Sequence, residues 1–273
     1  MTGSAPVRAE RWEGATPDEL AGRWGMPAVH LFQQVGSTND VARALADGGA
    51  PAGTVVIAEE QVAGRGRGGK EWKSPPGLGI WMTVVLRPAA LPAPGLLPVL
   101  VGLAAAEALD EYVRPTGAQV KWPNDVHIAG RKVAGILCEG AWEADRPGAV
   151  VAGIGINAGH TLGDFPPELQ ATATSIRIAA GWAPPRAEVA GAIARAILRL
   201  AAHPPAQLGG ALLEALAARD ALQGREVVVT GATPVRGIAL GISPAGALLV
   251  RSEEGALRTV RTGTVRLAGQ AGG

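Results

Sequence analysis

The chain has 273 residues, 47% of them hydrophobic, and its 25 Lys and Arg against 24 Asp and Glu leave a net charge of +1. That length suits one large domain plus a small one with ample core, and the charge balance is no footprint for a nucleic-acid binder. A single cysteine, Cys138, excludes an internal disulfide and a thiolate metal centre, which fits a reducing cytosol.

Residues 1–14 contain no apolar stretch of the signal-peptide kind, so a soluble cytoplasmic protein is expected. Residues 1–27 lack clear periodicity and are expected as an N-terminal arm, loose or with one short helix-turn. They are too few for a helix-turn-helix domain. Thr38 or Asn39 is expected to cap a helix through Leu45 that ends at Gly48-Gly49. Gly53–Glu60 and Gly79–Leu86 read as buried strands, and Leu96–Val113 as a long apolar helix. The uncharged run Pro88–Ala106 approaches spanning length, but its four prolines and two glycines make it a loop feeding a buried helix. Val120–Glu139 alternates strand and turn signals, with Gly130-Arg131 as the hairpin turn. Val150–Ile156 reads as another buried strand. Arg186–Ala202 is helical, with Ile193, Ile197, Leu198 and Leu200 on its apolar face, and a second helix is expected over Leu208–Leu222. After Gly224 the texture changes to short strands: Arg225–Thr230, Val235–Ile242, Ala247–Arg251 and Leu257–Leu267. Residues 224–273 are therefore expected as a small all-β barrel, with 268–273 frayed, after a main domain over 28–223.

The most informative segment is 64–72, Gly-Arg-Gly-Arg-Gly-Gly-Lys-Glu-Trp, which puts three cations and four glycines into nine positions. Glycines allow close backbone approach to a ligand, and successive N–H groups beside cations form a nest for phosphate. Gly64-x-Gly66-x-x-Gly69 fits the dinucleotide fingerprint literally, yet Trp72-Lys73-Ser74-Pro75-Pro76-Gly77 follows where a helix is required. A P-loop fails too, because Glu71 stands where a magnesium-binding Ser or Thr belongs. Gly153-x-Gly155-x-x-Ala158 likewise runs into loop residues.

Other constellations are weaker singly. In Val120-Lys121-Trp122-Pro123-Asn124-Asp125, Pro123 stops a strand, and Lys121 becomes a fixed cation at a sheet end or an edge lysine that blunts pairing. Ser37-Thr38-Asn39 offers hydroxyls and an amide to a neutral polar ligand, or is simply a helix cap. Gly153 to Asn157 ends a buried strand where backbone and amide can face a ligand. The only lysines are Lys70, Lys73, Lys121 and Lys132, against 21 arginines. His30, His127, His160 and His203 lack metal-ligand spacing and read as surface or satisfied core residues. The pairs Glu59-Glu60, Asp110-Glu111 and Glu253-Glu254 read as solvated or turn positions, and no nucleophile elbow is present.

Together these segments resemble the biotin protein ligase family. The likeness runs from Leu31 to Leu267 through Ser37-Thr38-Asn39, Gln61, Gly64-Arg65-Gly66-Arg67 to Trp72, Lys121-Trp122-Pro123-Asn124-Asp125, Lys132, Gly135-Ile136-Leu137 and Gly155-Ile156-Asn157. The resemblance implies an α/β (α+β) fold, a mixed sheet flanked by helices like class II synthetase cores, with a C-terminal SH3-like barrel. It implies ligation of biotin to a lysine of a biotin carboxyl carrier protein, with MgATP, through biotinyl-5′-AMP. It implies catalytic roles for Lys121, Arg67 and Arg65. Biotin contacts fall on Ser37, Thr38, Asn39, Gln61, Gly64, Arg65, Lys121, Gly135 and Gly153. Nucleotide contacts fall on Arg67, Lys70, Trp72, Asn124, Lys132 and Asn157, and no protein metal site is expected. Family members occur as monomers and as homodimers through a sheet edge. Lys70 departs from the arginine common there, the repressor-type DNA-binding domain is absent from this sequence, so a monofunctional ligase is expected, and the barrel matches loosely. A lipoate or octanoate ligase and a non-catalytic biotin or nucleotide sensor are the alternatives.

Overall fold

The computed structural model describes residues 5–91, 93–143, 146–231 and 234–269; the expected fraying over 268–273 falls largely outside them. Strand β1 (Val7–Arg8) precedes α1 (Pro17–Trp24), then β2 (Val29–Val35), α2 (Thr38–Asp47), β3 (Val55–Gln61) and β4 (Gly79–Leu86). Next come α3 (Leu97–Leu109), β5 (Ala118–Lys121), β6 (Asp125–Ile128), β7 (Arg131–Glu143) and β8 (Arg146–Asn157). Helices α4 (Ile176–Ala180), α5 (Arg186–Ala201) and α6 (Gly210–Ala218) lead to β9 (Glu226–Thr230), β10 (Val235–Ile242), β11 (Leu248–Ser252), β12 (Leu257–Val260) and β13 (Thr264–Leu267).

Strands β1 to β8 form one mixed sheet in the order β1-β2-β3-β4-β8-β7-β6-β5. The β2–β3 pair, joined through α2, is parallel, and the other neighbours are antiparallel. Successive strand residues point to opposite faces, and the burial pattern follows that rule. Val55, Ile57, Ile80, Met82, Val84, Val120, Val126, Ile136, Ile154 and Ile156 belong to the main core under α1, α3 and α5. Val56, Ala58, Val85 and Val151 meet α2 through Ala42 and Ala46 on the other face. Helix α2 covers only part of that second face. The remainder, where Lys121, Asp125, Gly135, Gly153 and Gly155 lie, stays open to a ligand.

Helix α3 is buried on nearly every side, as an apolar helix without a polar face must be. Among the described residues, no helix is long and apolar enough to cross a membrane. The second sheet, ordered β12-β11-β10-β9-β13, is wholly antiparallel. It is fixed to the main unit where Trp122 Nε1 donates to Gly246 O at 2.9 Å and Leu208 N to Pro244 O at 2.6 Å.

Several expectations are corrected. The N-cap of α2 is Ser37, not Thr38 or Asn39, and its hydroxyl makes no capping bond. Helix α3 ends at Leu109, four residues before Val113, and Asp110 instead accepts from Ala118 N at 2.8 Å and pairs with Arg219. The β6–β7 turn is Ala129-Gly130, with φ of 50° and 75°; positive φ at both central residues is what a tight hairpin needs. The run Leu257–Leu267 breaks into β12 and β13 around Gly263.

Residues 5–27 are no loose arm. β1 extends the sheet, Thr16 caps α1 in a capping box with Glu19, and Leu20 and Trp24 are fully enclosed. Glu59, expected in solvent, anchors this segment: it accepts from Trp12 Nε1 at 2.8 Å and Gly77 N at 2.6 Å. Arg186 at the start of α5 bridges Glu59 at 3.1 Å and Glu13 at 2.7 Å, with its guanidinium over the Trp12 ring. These side chains are only 14% to 27% exposed, so removing the cation leaves two carboxylates poorly solvated. Arg186→Ala is expected to lower unfolding free energy by about 2–3 kcal/mol, read as a reduced urea midpoint at constant slope. A midpoint equal to wild type would contradict this anchoring.

Candidate active site

The open part of the sheet face bounds a cavity of about 1130 Å³. Every residue singled out for ligand contact lines it: Ser37, Thr38, Asn39, Gln61, Gly64, Arg65, Arg67, Lys70, Trp72, Lys121, Asn124, Lys132, Gly135, Gly153 and Asn157. The floor is glycine where neighbours come closest. A Cβ on Gly153 would stand 2.1 Å from Asn39 Oδ1, and one on Gly155 would stand 2.4 Å from Trp72 Nε1.

One end of the cavity is neutral and hydrogen-bonded. Gln61 Oε1 accepts from Thr38 N at 2.9 Å and Thr38 Oγ1 at 3.1 Å, which fixes the amide's orientation. Gln61 Nε2 donates to Ser74 Oγ at 2.8 Å. The buried Thr83 hydroxyl lies 2.7 Å from Asn39 Oδ1 and 2.8 Å from Thr38 Oγ1. Asn39 Nδ2 donates to Leu137 O at 3.1 Å and to Glu139 at 2.7 Å. Thr38 and Asn39 thus form a built network across α2, β3, β4 and β7, while Ser37 opens the helix.

The glycine-rich segment is a hairpin rather than an open nest. Trp72 N donates to Gly64 O at 2.9 Å and Gly66 N to Lys70 O at 2.7 Å, so two of its N–H groups are already used. The Arg65 guanidinium makes two hydrogen bonds to Asp40 of α2, at 2.7 and 2.6 Å, and approaches Glu139 at 3.7 Å. Its hydrogen bonds hold the Asp40 carboxyl below the usual range. Arg65 therefore latches the hairpin to α2, and its cationic head is spent on that latch. Arg67 donates to the backbone carbonyl of Gly263, between β12 and β13. The Trp72 indole lies against Gly135 and Gly155, edge-on to Trp81 at 6.5 Å, with Lys132 Nζ 5.1 Å above its ring.

The other end is cationic. Lys121 closes β5, and burial pushes its ammonium below the ordinary lysine pKa of 10.5; Lys132, Arg266 and Lys70 push the same way against Asp125. Asp125 is bound by Lys132 Nζ at 2.6 Å. Like charges held this close make an anion the natural occupant. Asn124 and Asn157, expected as nucleotide contacts, both line the cavity, and each has one amide bond to its wall. Asn124 Nδ2 donates to Ile136 O at 2.8 Å and Asn157 Nδ2 to Thr174 O at 3.0 Å, so both amides brace the walls.

Sequence reasoning missed two groups of lining residues. One is the wall from His160 to Ala173, where the His160 ring stacks on Phe165 at 5.0 Å and meets Trp81 edge-on at 6.1 Å. It is held by a bridge in which Lys132 N donates to Thr172 O and Thr174 N to Lys132 O, each at 2.8 Å. The second is Thr264, Val265 and Arg266 of β13. The histidine reading is also corrected: His127 and His160 are buried on the cavity wall, each with one ring nitrogen lacking a partner among the described residues.

Residues 31–157 match the biotin/lipoate A/B protein ligase family, and residues 223–267 match the biotin protein ligase C-terminal domain. The biotin–[acetyl-CoA-carboxylase] ligase of Paracoccus denitrificans is 36% identical over 230 residues, 82% of this chain and 95% of that protein. The chain belongs to the biotin protein ligase family. Its likeness to the Bacillus spizizenii bifunctional ligase/repressor BirA is 44% over 156 residues, 56% of this chain and 47% of that protein, so it spans about half that relative. Among solved structures, the Aquifex aeolicus biotin protein ligase in complex with biotin and ATP superposes with a TM-score of 0.75 at 27% identity, over 88% of this chain and 99% of that one. The mixed sheet and the antiparallel C-terminal unit of this biotin protein ligase family member are accordingly those of its relatives.

The contact between Trp72 and the glycine floor is testable. Gly155→Ala drives a Cβ into the indole, so the Trp72 resonance in 5-fluorotryptophan-labelled protein, assigned with Trp72→Phe, is expected to move towards the exposed position. An unshifted resonance would show that the ring does not rest on this floor.

Proposed function

We propose that this protein joins biotin to a specific lysine of a biotin carboxyl carrier domain in two steps at the one cavity. The biotin carboxylate attacks the α-phosphorus of MgATP, forming biotinyl-5′-AMP and expelling pyrophosphate. The carrier lysine amine, as it loses its proton, then attacks the acyl carbon and AMP departs. What supports this reading is one cavity with a neutral hydrogen-bonding end and a cationic end, in a chain of this family.

The chemistry needs both ends. Two unit anions about 4 Å apart repel by about 4 kcal/mol at an effective dielectric near 20, so carboxylate and triphosphate do not meet unaided. Lys121 sits between the two and stabilises charge in both steps, with Arg67 and Lys70 at the phosphates. Thr38, Asn39 and Gln61, with the Ser37, Gly64, Gly135 and Gly153 backbone, take the polar ring of the vitamin. Trp72 and Lys132 cover the adenylate and keep water from the mixed anhydride, on walls braced by Asn124 and Asn157. Arg65 acts through Asp40, holding the hairpin shut. Magnesium arrives with the nucleotide: the described residues offer no group of three or more His, Cys, Asp or Glu to hold it, and Asp125 is engaged by Lys132. A protein that works on these substrates belongs in the cytoplasm, where carboxylases and ATP are found together.

Lys121→Ala is expected to reduce biotin-dependent ATP–pyrophosphate exchange about 100-fold or more, the scale of losing one charge partner in the transition state. Exchange at the wild-type rate would overturn the role given to Lys121. Carrier labelling supplied with ATP and either biotin or lipoate tests the substrate class, and labelling by lipoate alone would overturn the reading.

A further inference from the structure

Resting on that adenylation reading, we propose that His127 is the residue by which this chain selects a ribonucleotide, accepting a hydrogen bond from a ribose hydroxyl of ATP. His127 lies on β6, across from Gln119 on β5 and from Lys132 on β7. Alternation puts it on the cavity face with Asp125, two residues earlier, and it lines the cavity. Its Nδ1 stands 3.2 Å from Gly130 O; a carbonyl only accepts, so Nδ1 carries the proton and Nε2 presents a lone pair. That Nε2 is buried without a partner among the described residues, in a side chain only 8% exposed.

A buried acceptor without a donor is costly, and native structures supply one. The ring stays a neutral acceptor because burial and the neighbouring Lys121 push its pKa down to about 4. The cations around it, Lys121 and Lys132, suit phosphate oxygens, which only accept. Nε2 therefore calls for the part of a nucleoside triphosphate that donates. Those donors are the ribose hydroxyls and the amino group of the base. The aromatic wall of Trp72 and Phe165, against β7 and β8, suits the flat base. His127, one strand further towards Lys121, then falls beside the sugar that joins base to phosphates.

The test compares kcat/KM for biotin-dependent adenylate formation with ATP, 2′-deoxyATP and 3′-deoxyATP. Wild type is expected to favour ATP over one deoxy analogue by about tenfold, the effect of one neutral hydrogen bond. His127→Gln, which keeps an acceptor near the Nε2 position, retains the preference, and His127→Phe abolishes it. Equal use of all three nucleotides by wild type, or an equal loss on all three in His127→Phe, would overturn the inference while leaving adenylation standing. No adenylate from wild type with ATP would overturn both.

Discussion

Four positive side chains held around the open end of one sheet face are the constraint on which the rest of the site depends. Lys121 and Lys132 come from β5 and β7, Lys70 from the glycine hairpin and Arg266 from the C-terminal sheet. Their mutual repulsion is tolerated because each is carried by a separate element, and because Asp125 offsets part of it. The cost shows in Lys121, whose ammonium is already easier to deprotonate than a solvated one. An incoming anion relieves that strain, so the site's electrostatics favour occupation by negative charge.

Two-residue alternation in the strands makes this arrangement possible. The same strands that send Val120, Val126, Ala134, Ile154 and Ile156 into the core send Lys121, Asp125, Gly135 and Gly155 to the cavity. Mechanical support and chemistry are thus two faces of one sheet. Helix α2 closes the neutral end, and its Asp40 receives the Arg65 latch, so the neutral end and the hairpin are tied to the same helix. Arg67 reaching Gly263 ties the hairpin tip to the C-terminal sheet as well. The second sheet is accordingly a wall of the site and not an appendage.

Much of this was legible in the sequence, for identifiable reasons. The ends of β4 are plain from the sequence, because a run with Thr83 as its one polar residue lies between Gly79 and Arg87. The hairpin, Lys121 and the glycine exits stood out because unusual residue types are packed into short stretches. What escaped depended on long-range contact. Thr38 and Asn39 read as cap residues because their partners, Gln61, Thr83 and Glu139, are distant in the chain. The wall from His160 to Ala173 is built of short 3-10 turns with no period to detect. Arg266 reads as one more exposed arginine on a strand until β13 is seen beside the cavity. That residues 64–72 pair as a hairpin, using Gly66 N and Trp72 N on themselves, has no local signal in the sequence. His127 reads as an ordinary surface or core histidine because nothing local shows that one of its nitrogens is buried without a donor.

In the proposed reaction, the one fixed ammonium of Lys121 serves both reacting acids. A crystal structure with biotin and a non-hydrolysable ATP analogue bound together tests it most directly. The account predicts the vitamin carboxylate and the α-phosphate on either side of Lys121 Nζ, each within hydrogen-bonding distance. Either group bound elsewhere, with Lys121 turned to Asp125 alone, would contradict it.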